Sequence, residues 1–419
     1  MELIIIILGL VILLAILINP LIGLIMLVIL FYQETLFPVI NASIIITPLK
    51  VIGIFTFCVT IFKSIFKKVY LSFIIKKQIW FFVLFLICLY VSGFVHPNSF
   101  TRSYFTMFTS FAVFGIIILL LIDSISSFRL VLWFCILSAF VASSFSVFEY
   151  IKYKDMYLRI RGEAYGPNEF AISILPMISI CYYGIRSERK KILKIVLFVS
   201  TIIIFFALIL SFSRGGLVGL IVMLIAGFLK AKHKILVFVI GLIMFAVVAS
   251  YLPSLVWERV EETKESISNL ETTSSFDSTK RRYLLAKAAW EIFLEYPVTG
   301  IGLGNYYWEC SKYEKIHPGR PRSTYLEILS ELGLIGFMFF LGIIFYTLRG
   351  LGRIIKKTSD GYAEGFYFGI IGFLVAAIFL HAYHEKILWF LIFMSTALEV
   401  VMNNNLKQNV SLKENTAYG

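Results

Sequence analysis

The sequence predicts an all-α fold, a polytopic transmembrane bundle of about 12 to 13 helices with one long loop outside the bilayer that contains an amphipathic helix. Three observations predict it. Of 419 residues, 59% are hydrophobic and 15% charged, where ordinary soluble domains carry about 25% charged residues. Apolar runs recur along the whole chain, at lengths near the ~20 residues that cross about 30 Å of hydrocarbon. Positive charge gathers in the short stretches between those runs, as in loops retained on the cytoplasmic side.

Taken in order, residues 3–32 are apolar apart from the Asn19-Pro20 break and read as one kinked helix or a hairpin of two short ones. Further spans are expected near 46–62, 79–95, 104–122, 130–148, 169–185, 192–210, 215–229, 235–252, 332–348, 366–380 and 387–401. Met1-Glu2 offers no basic leader and no small-residue cleavage site follows, so the N-terminus reads as part of the bundle and not as a cleaved signal. Cys58, Cys88, Cys135, Cys181 and Cys310 show no paired spacing, which predicts packing residues rather than a disulfide frame or a zinc site.

Lys and Arg number 38 and Asp and Glu 25, a net charge of +13. Orienting loops account for that excess without nucleic acid as a partner. Lys63, Lys67, Lys68, Lys76 and Lys77 form one basic loop; Arg186, Arg189, Lys190, Lys191 and Lys194 a second; Lys230, Lys232 and Lys234 a third; Arg349, Arg353, Lys356 and Lys357 a fourth. Alternating crossings make the four consistent and put 149–168, 211–214 and 253–322 on the opposite, extracytoplasmic face. The expected organisation is N-terminal transmembrane helices (1–252), a large extracytoplasmic loop (253–322), C-terminal transmembrane helices (323–402) and a cytoplasmic tail (403–419).

The long loop carries the polar information. Within 280–296, Tyr283, Ala286, Trp290 and Phe293 fall on one helical stripe, as in a helix lying along a membrane surface. Pro297 ends it. The glycine-rich run from Gly300 to Asn305 lacks the Lys-Ser/Thr of a phosphate-binding loop and reads as a tight turn returning the chain to the membrane. Thr324-x-x-Glu327 reads as a capping box that opens the next helix, with Arg322 just before it. Arg214 opens another span after Ser211-Phe-Ser213. A third patch, Arg159-Ile-Arg161-Gly162-Glu163, precedes Pro167-Asn168, where proline suits a first helical turn.

Helix starts favour anions, and the arginine fork binds phosphate oxygens in pairs, so this convergence suits a diphosphate. A snorkelling interfacial arginine is the competing explanation, and it fits Arg159 or Arg281 better than Arg214, which is hemmed between apolar runs. His381 and His384, with Glu385 next to the second, have the look of half a metal site, but no further His or Cys ligand cluster accompanies them; an interfacial loop is the expectation, with no metal. His317, five residues before Arg322, is a candidate proton acceptor.

These blocks together resemble the superfamily of O-antigen ligases and O-antigen polymerases. The resemblance rests on Arg161-Gly162 followed by Pro167-Asn168-Glu169-Phe170-Ala171, on Ser213-Arg214-Gly215-Gly216, and on Arg282 ahead of Trp290. It continues through Pro297-Val-Thr-Gly300-Ile-Gly302-Leu-Gly304-Asn305 and Ser323-Thr324-Tyr325-Leu326-Glu327 to Glu331-Leu332-Gly333-Leu334-Ile335-Gly336. It implies a multi-pass glycosyltransferase of the bacterial inner membrane, working on its periplasmic or outer face. The implied partners are an undecaprenyl-diphosphate-linked oligosaccharide, membrane lipids and a chain-length regulator, with no cofactor.

The resemblance also places Arg214 and Arg282 on the family's diphosphate-binding arginines. Ligases carry His where this chain has Arg322; arginine there, with ten residues between it and Gly333, resembles the polymerases. Arginine cannot act as a base at neutral pH. Polymerase is therefore the first expectation and ligase the second, with a flippase or transporter as the reading from another class. The expected site is Arg214, Arg282 and Arg322, with His317 or Glu163 as base and Arg161, Asn168 and Tyr325 also against substrate.

Overall fold

Helices form wherever apolar runs leave the backbone no water to bond to, since in hydrocarbon each N–H and C=O must be satisfied within its own segment. The computed structural model describes residues 2–32, 48–66, 73–152, 160, 166–230, 278–314 and 316–417. Among them are fourteen helices and no strand. The break at Asn19-Pro20 divides the first apolar run into α1 (Glu2–Ile18) and α2 (Pro20–Ile29), with Asn19 Oδ1 accepting the Leu21 N–H at 3.0 Å. Then come α3 (Pro48–Phe66), α4 (Lys77–Val95), α5 (Thr101–Leu121), α6 (Ile125–Lys152), α7 (Pro167–Ser187), α8 (Lys191–Leu210) and α9 (Arg214–Lys230). After these follow α10 (Ser278–Glu295), α11 (Tyr306–Tyr313), α12 (Thr324–Thr358), α13 (Gly361–Ala376) and α14 (Lys386–Ala417). Seven of the described helices, α4 to α8, α12 and α14, are long and apolar enough to cross a membrane. The chain is thus a multi-pass helical membrane protein. The span expected at 235–252 lies outside the described residues.

The core sits around α14, whose residues from Ile387 to Leu398 are buried throughout. Trp389 packs among Phe82, Phe85, Phe108 and Phe111 from α4 and α5, with ring centroids 5.1–6.1 Å apart, and its indole N–H donates to the Tyr383 carbonyl. α13 packs on α7 and α9. The approach to α9 depends on Gly219, where a Cβ would lie 2.6 Å from the Gly372 carbonyl oxygen.

The bundle has two polar ends. The basic loops before α4, after α7 and after α12 meet at one of them. There Glu399 accepts from Lys76, Gln78 and Arg353 at 2.8, 3.1 and 3.0 Å, Arg186 pairs with Glu364, and Ser187 bonds Asp360 at 3.1 Å. At the other end lie the starts of α5, α7, α9 and α12 and the α13–α14 loop.

α12 is not one continuous helix. Gly333 has φ +61°, a left-handed value, and breaks the hydrogen-bond ladder. The glycine-rich turn repairs it from outside: Ile301 and Gly302 N–H donate to the Ser330 and Glu331 carbonyls at 2.9 and 3.0 Å, and Leu334 and Ile335 N–H donate to the Pro297 and Val298 carbonyls at 2.8 and 3.3 Å. Gly300, Gly302 and Gly304 all have positive φ. The expected return turn is therefore more than a connection, since it completes the backbone of a spanning helix.

Candidate functional site

Local sequence places each arginine. The α8–α9 turn is tight, with Phe212 at φ +49° and Ser213 Oγ accepting the Gly216 N–H at 3.3 Å, so Arg214 becomes the first residue of α9 with an exposed side chain. Gly215 lets this start lie against Phe379 and Leu380 of the α13–α14 loop. Pro167 starts α7, putting Asn168 and Glu169 in its first turn. Glu169 Oε1 stands 3.9 Å from Arg322 Nη1, just before α12.

Arg282 comes from α10. That helix buries Leu285, Ala288, Ala289 and Ile292 against Tyr306 and Cys310, and the Tyr306 hydroxyl donates to the Leu285 carbonyl at 2.5 Å. The sequence stripe differs from this face: Tyr283 and Trp290 are about half exposed, so they form an outer aromatic face, and the buried face is offset from it. Arg282 is half-buried, one turn before Leu285. Burial lowers its guanidinium below the ordinary arginine range, and the charges of Arg322 and then Arg214 lower it further, against Glu169. Arg282 of α10 therefore lies within the electrostatic reach of the guanidiniums at the α9 and α12 starts, at one end of the bundle. Among the described residues the ion pair within this group is Arg322–Glu169.

The other expected site residues fall differently. Arg161 and Glu163 lie outside the described residues. His317 is exposed. The Tyr325 hydroxyl donates to the Leu374 carbonyl at 2.8 Å, so it is engaged inside the bundle between α12 and α13. The capping box is not formed: Ser323 is the N-cap, without a side-chain cap bond, and the Thr324 hydroxyl donates to the Leu380 carbonyl while accepting the Ala382 N–H.

Glu327, released from capping, meets His381 instead, with Oε2 2.5 Å from Nδ1. His381 Nε2 lies 2.7 Å from Arg320 Nη1 and 3.0 Å from His384 Nδ1. The histidines expected in a plain interfacial loop thus belong to a polar cluster, and sequence reasoning missed it because Glu327 and Arg320 arrive from 54 and 61 residues away. Ligand atoms of Glu327, His381 and His384 lie within 4.8 Å of one another, a spacing a cation could bridge. Arg320 opposes that use, because its permanent donor occupies the Nε2 lone pair and its charge would repel the ion. Burial, then His381 and Arg320, holds His384 well below the ordinary imidazole range. Next to it, burial and then Glu169 push Glu385 up to about 8.

No curated protein matches the chain. Residues 199–341 match the protein-family model described as O-antigen ligase, a stretch that runs from within α8 through Arg214, Arg282 and Arg322 to the broken region of α12, so this part of the chain is similar to the O-antigen ligases.

Proposed function

We propose that the protein is a polysaccharide polymerase that transfers glycan from an undecaprenyl-diphosphate donor to a sugar hydroxyl of another lipid-linked repeat unit. The observation that carries this is that Arg282 feels the charges of Arg322 and Arg214, which stand at helix starts, so that cations from three segments meet with Glu169 as the one carboxylate among the described residues found acting on them. Such a group suits a ligand with more negative charge than Glu169 supplies. In the reaction a hydroxyl oxygen bonds to the anomeric carbon, the carbon–oxygen bond to the diphosphate breaks, and the diphosphate leaves with the electron pair. The guanidiniums stabilise charge growing on that leaving group, and the hydroxyl proton passes to a base. In this reading no metal is needed and the site faces the periplasm of a bacterial inner membrane. Arginine at position 322 favours polymerase over ligase, because it cannot serve as the ligase base.

The test is incubation of the purified protein with lipid-linked repeat units alone. A ladder of polymer supports the reading. Product that forms only when lipid A core or another acceptor is added would replace it with a ligase.

A further inference from the structure

Arg320 and Arg322 flank Pro321 and turn to different partners. Arg322 reaches towards Glu169, whereas Arg320 contacts His381 and lies over the rings of Phe100 and Tyr104, 5.8 and 5.7 Å from their centroids. Since a guanidinium only donates, His381 Nε2 accepts and its proton sits on Nδ1, towards Glu327. Glu327 and His381 thus hold Arg320 from behind. In front of it, Phe100 stacks on Trp308 at 6.3 Å and 18° and meets Tyr307 edge-on at 5.3 Å. Trp308 is 50% exposed.

Charge separates this place from the diphosphate pocket. Behind Arg320 stands the buried carboxylate of Glu327, held 2.5 Å from His381 Nδ1. A diphosphate would meet that negative charge, whereas neutral hydroxyls would not. A planar donor fork beside stacked aromatic faces fits a sugar ring, which offers C–H groups on its face and hydroxyls at its edge. The two places share a wall: Arg320 is two residues from Arg322, and His384 of this cluster adjoins Glu385, which feels Glu169 of the other.

We infer that Arg320, Phe100 and Trp308 form the acceptor-glycan subsite, beside the diphosphate pocket, with Glu327 and His381 as positioning residues for Arg320. This rests on the transferase reading and adds the identity of its second substrate pocket.

Two probes test it by equilibrium binding to the purified protein: the phosphate-free oligosaccharide released from the lipid-linked repeat by mild acid, and undecaprenyl diphosphate. Trp308→Ala, at a surface position that leaves the fold intact, and Arg320→Gln raise the Kd for oligosaccharide at least tenfold and leave that for undecaprenyl diphosphate within twofold. Arg282→Lys does the reverse. His381→Gln, which keeps one donor and one acceptor, retains the oligosaccharide binding that His381→Ala loses. Oligosaccharide binding within twofold of wild type in Trp308→Ala, or equal weakening of both probes by Trp308→Ala and Arg320→Gln, overturns the inference. So does a wild-type protein that binds undecaprenyl diphosphate but no oligosaccharide. A wild type that binds oligosaccharide and no undecaprenyl diphosphate overturns the proposed function and leaves the sugar subsite standing.

Discussion

Where the basic loops gather, Glu399 is 2% exposed and is met by Lys76, Arg353 and Gln78, while Glu188 accepts from Trp133 and Tyr362. At the opposite end the charges of Arg322, Arg214 and Glu169 all act on Arg282, and among the described residues the ion pair there is Arg322–Glu169 at 3.9 Å. Both ends hold charge in a protein that is mostly apolar, but the first answers its buried acids with donors from neighbouring helices. The second brings like charges to bear on Arg282 and so disfavours its own. Satisfied charge fastens helices together; like charge held in one place is kept for something that comes and goes.

The sharpest way to break this contrast uses two glycines of α12. At Gly333 a Cβ would lie 2.3 Å from the Val298 carbonyl oxygen at φ +61°, whereas at Gly352, towards the basic-loop end, it would meet nothing within 4 Å. Gly333→Ala is expected to abolish well-folded protein, since left-handed strain of about 1–2 kcal/mol adds to a backbone overlap. Gly352→Ala stabilises by about 0.5–1 kcal/mol. Thermal unfolding of the detergent-solubilised variants checks both, and equal Tm values would remove the role given to the break.

Next in size are the arginines. Arg→Lys at 214, 282 or 322 keeps charge but loses the planar fork. A charge-assisted hydrogen bond is worth about 1.5–3 kcal/mol, so ladder formation should fall roughly ten- to a hundredfold. Arg353→Lys at the other end should stay within twofold. Near-normal ladders from all three site variants would leave snorkelling as their role.

Glu399→Gln turns the comparison round. It should lower stability by about 1–2 kcal/mol with little change in rate below the transition. A large loss of activity in folded protein would show that the basic-loop end takes part in turnover.

The smallest effect is a pH dependence. Glu385, at about 8, keeps its proton at neutral pH; above that, ionisation adds negative charge beside Glu169, where a diphosphate has to bind. Polymer formation should fall a few-fold as pH rises through about 8, and Glu385→Gln should flatten that limb. The sign for stability agrees: the folded state holds this proton more tightly than the unfolded chain, so stability declines from the ordinary carboxylate range up to about pH 8 and levels off above it.

Much of the bundle was legible because hydropathy and helix-start signals are local. Pro167, Arg214 and the residues around Thr324 mark starts that the structure keeps. The arginine segments were legible for the same reason, each standing at the end of an apolar run. The cluster of Glu327, His381, His384 and Arg320 was not, since its pairing depends on how the α13–α14 loop docks on Thr324. In α10 periodicity picked out the outer aromatic face and not the buried one offset from it, since an interfacial helix can show one apolar face to lipid and another to protein.

The break at Gly333 bears on how the protein enters its membrane. A spanning helix ordinarily carries its own backbone partners, so it can be delivered to the bilayer alone. α12 cannot, because the carbonyls of Ser330 and Glu331 and the N–H groups of Leu334 and Ile335 find theirs in residues 297–302. In hydrocarbon each unmet group costs several kcal/mol. The turn and the helix therefore have to be inserted as one piece, which brings α10, and Arg282 with it, down to the bundle at the moment α12 is seated. Assembly of the site is in this way tied to completion of the membrane crossing, and a chain that failed at that step would be recognisable to quality control by exposed backbone rather than by a missing side chain.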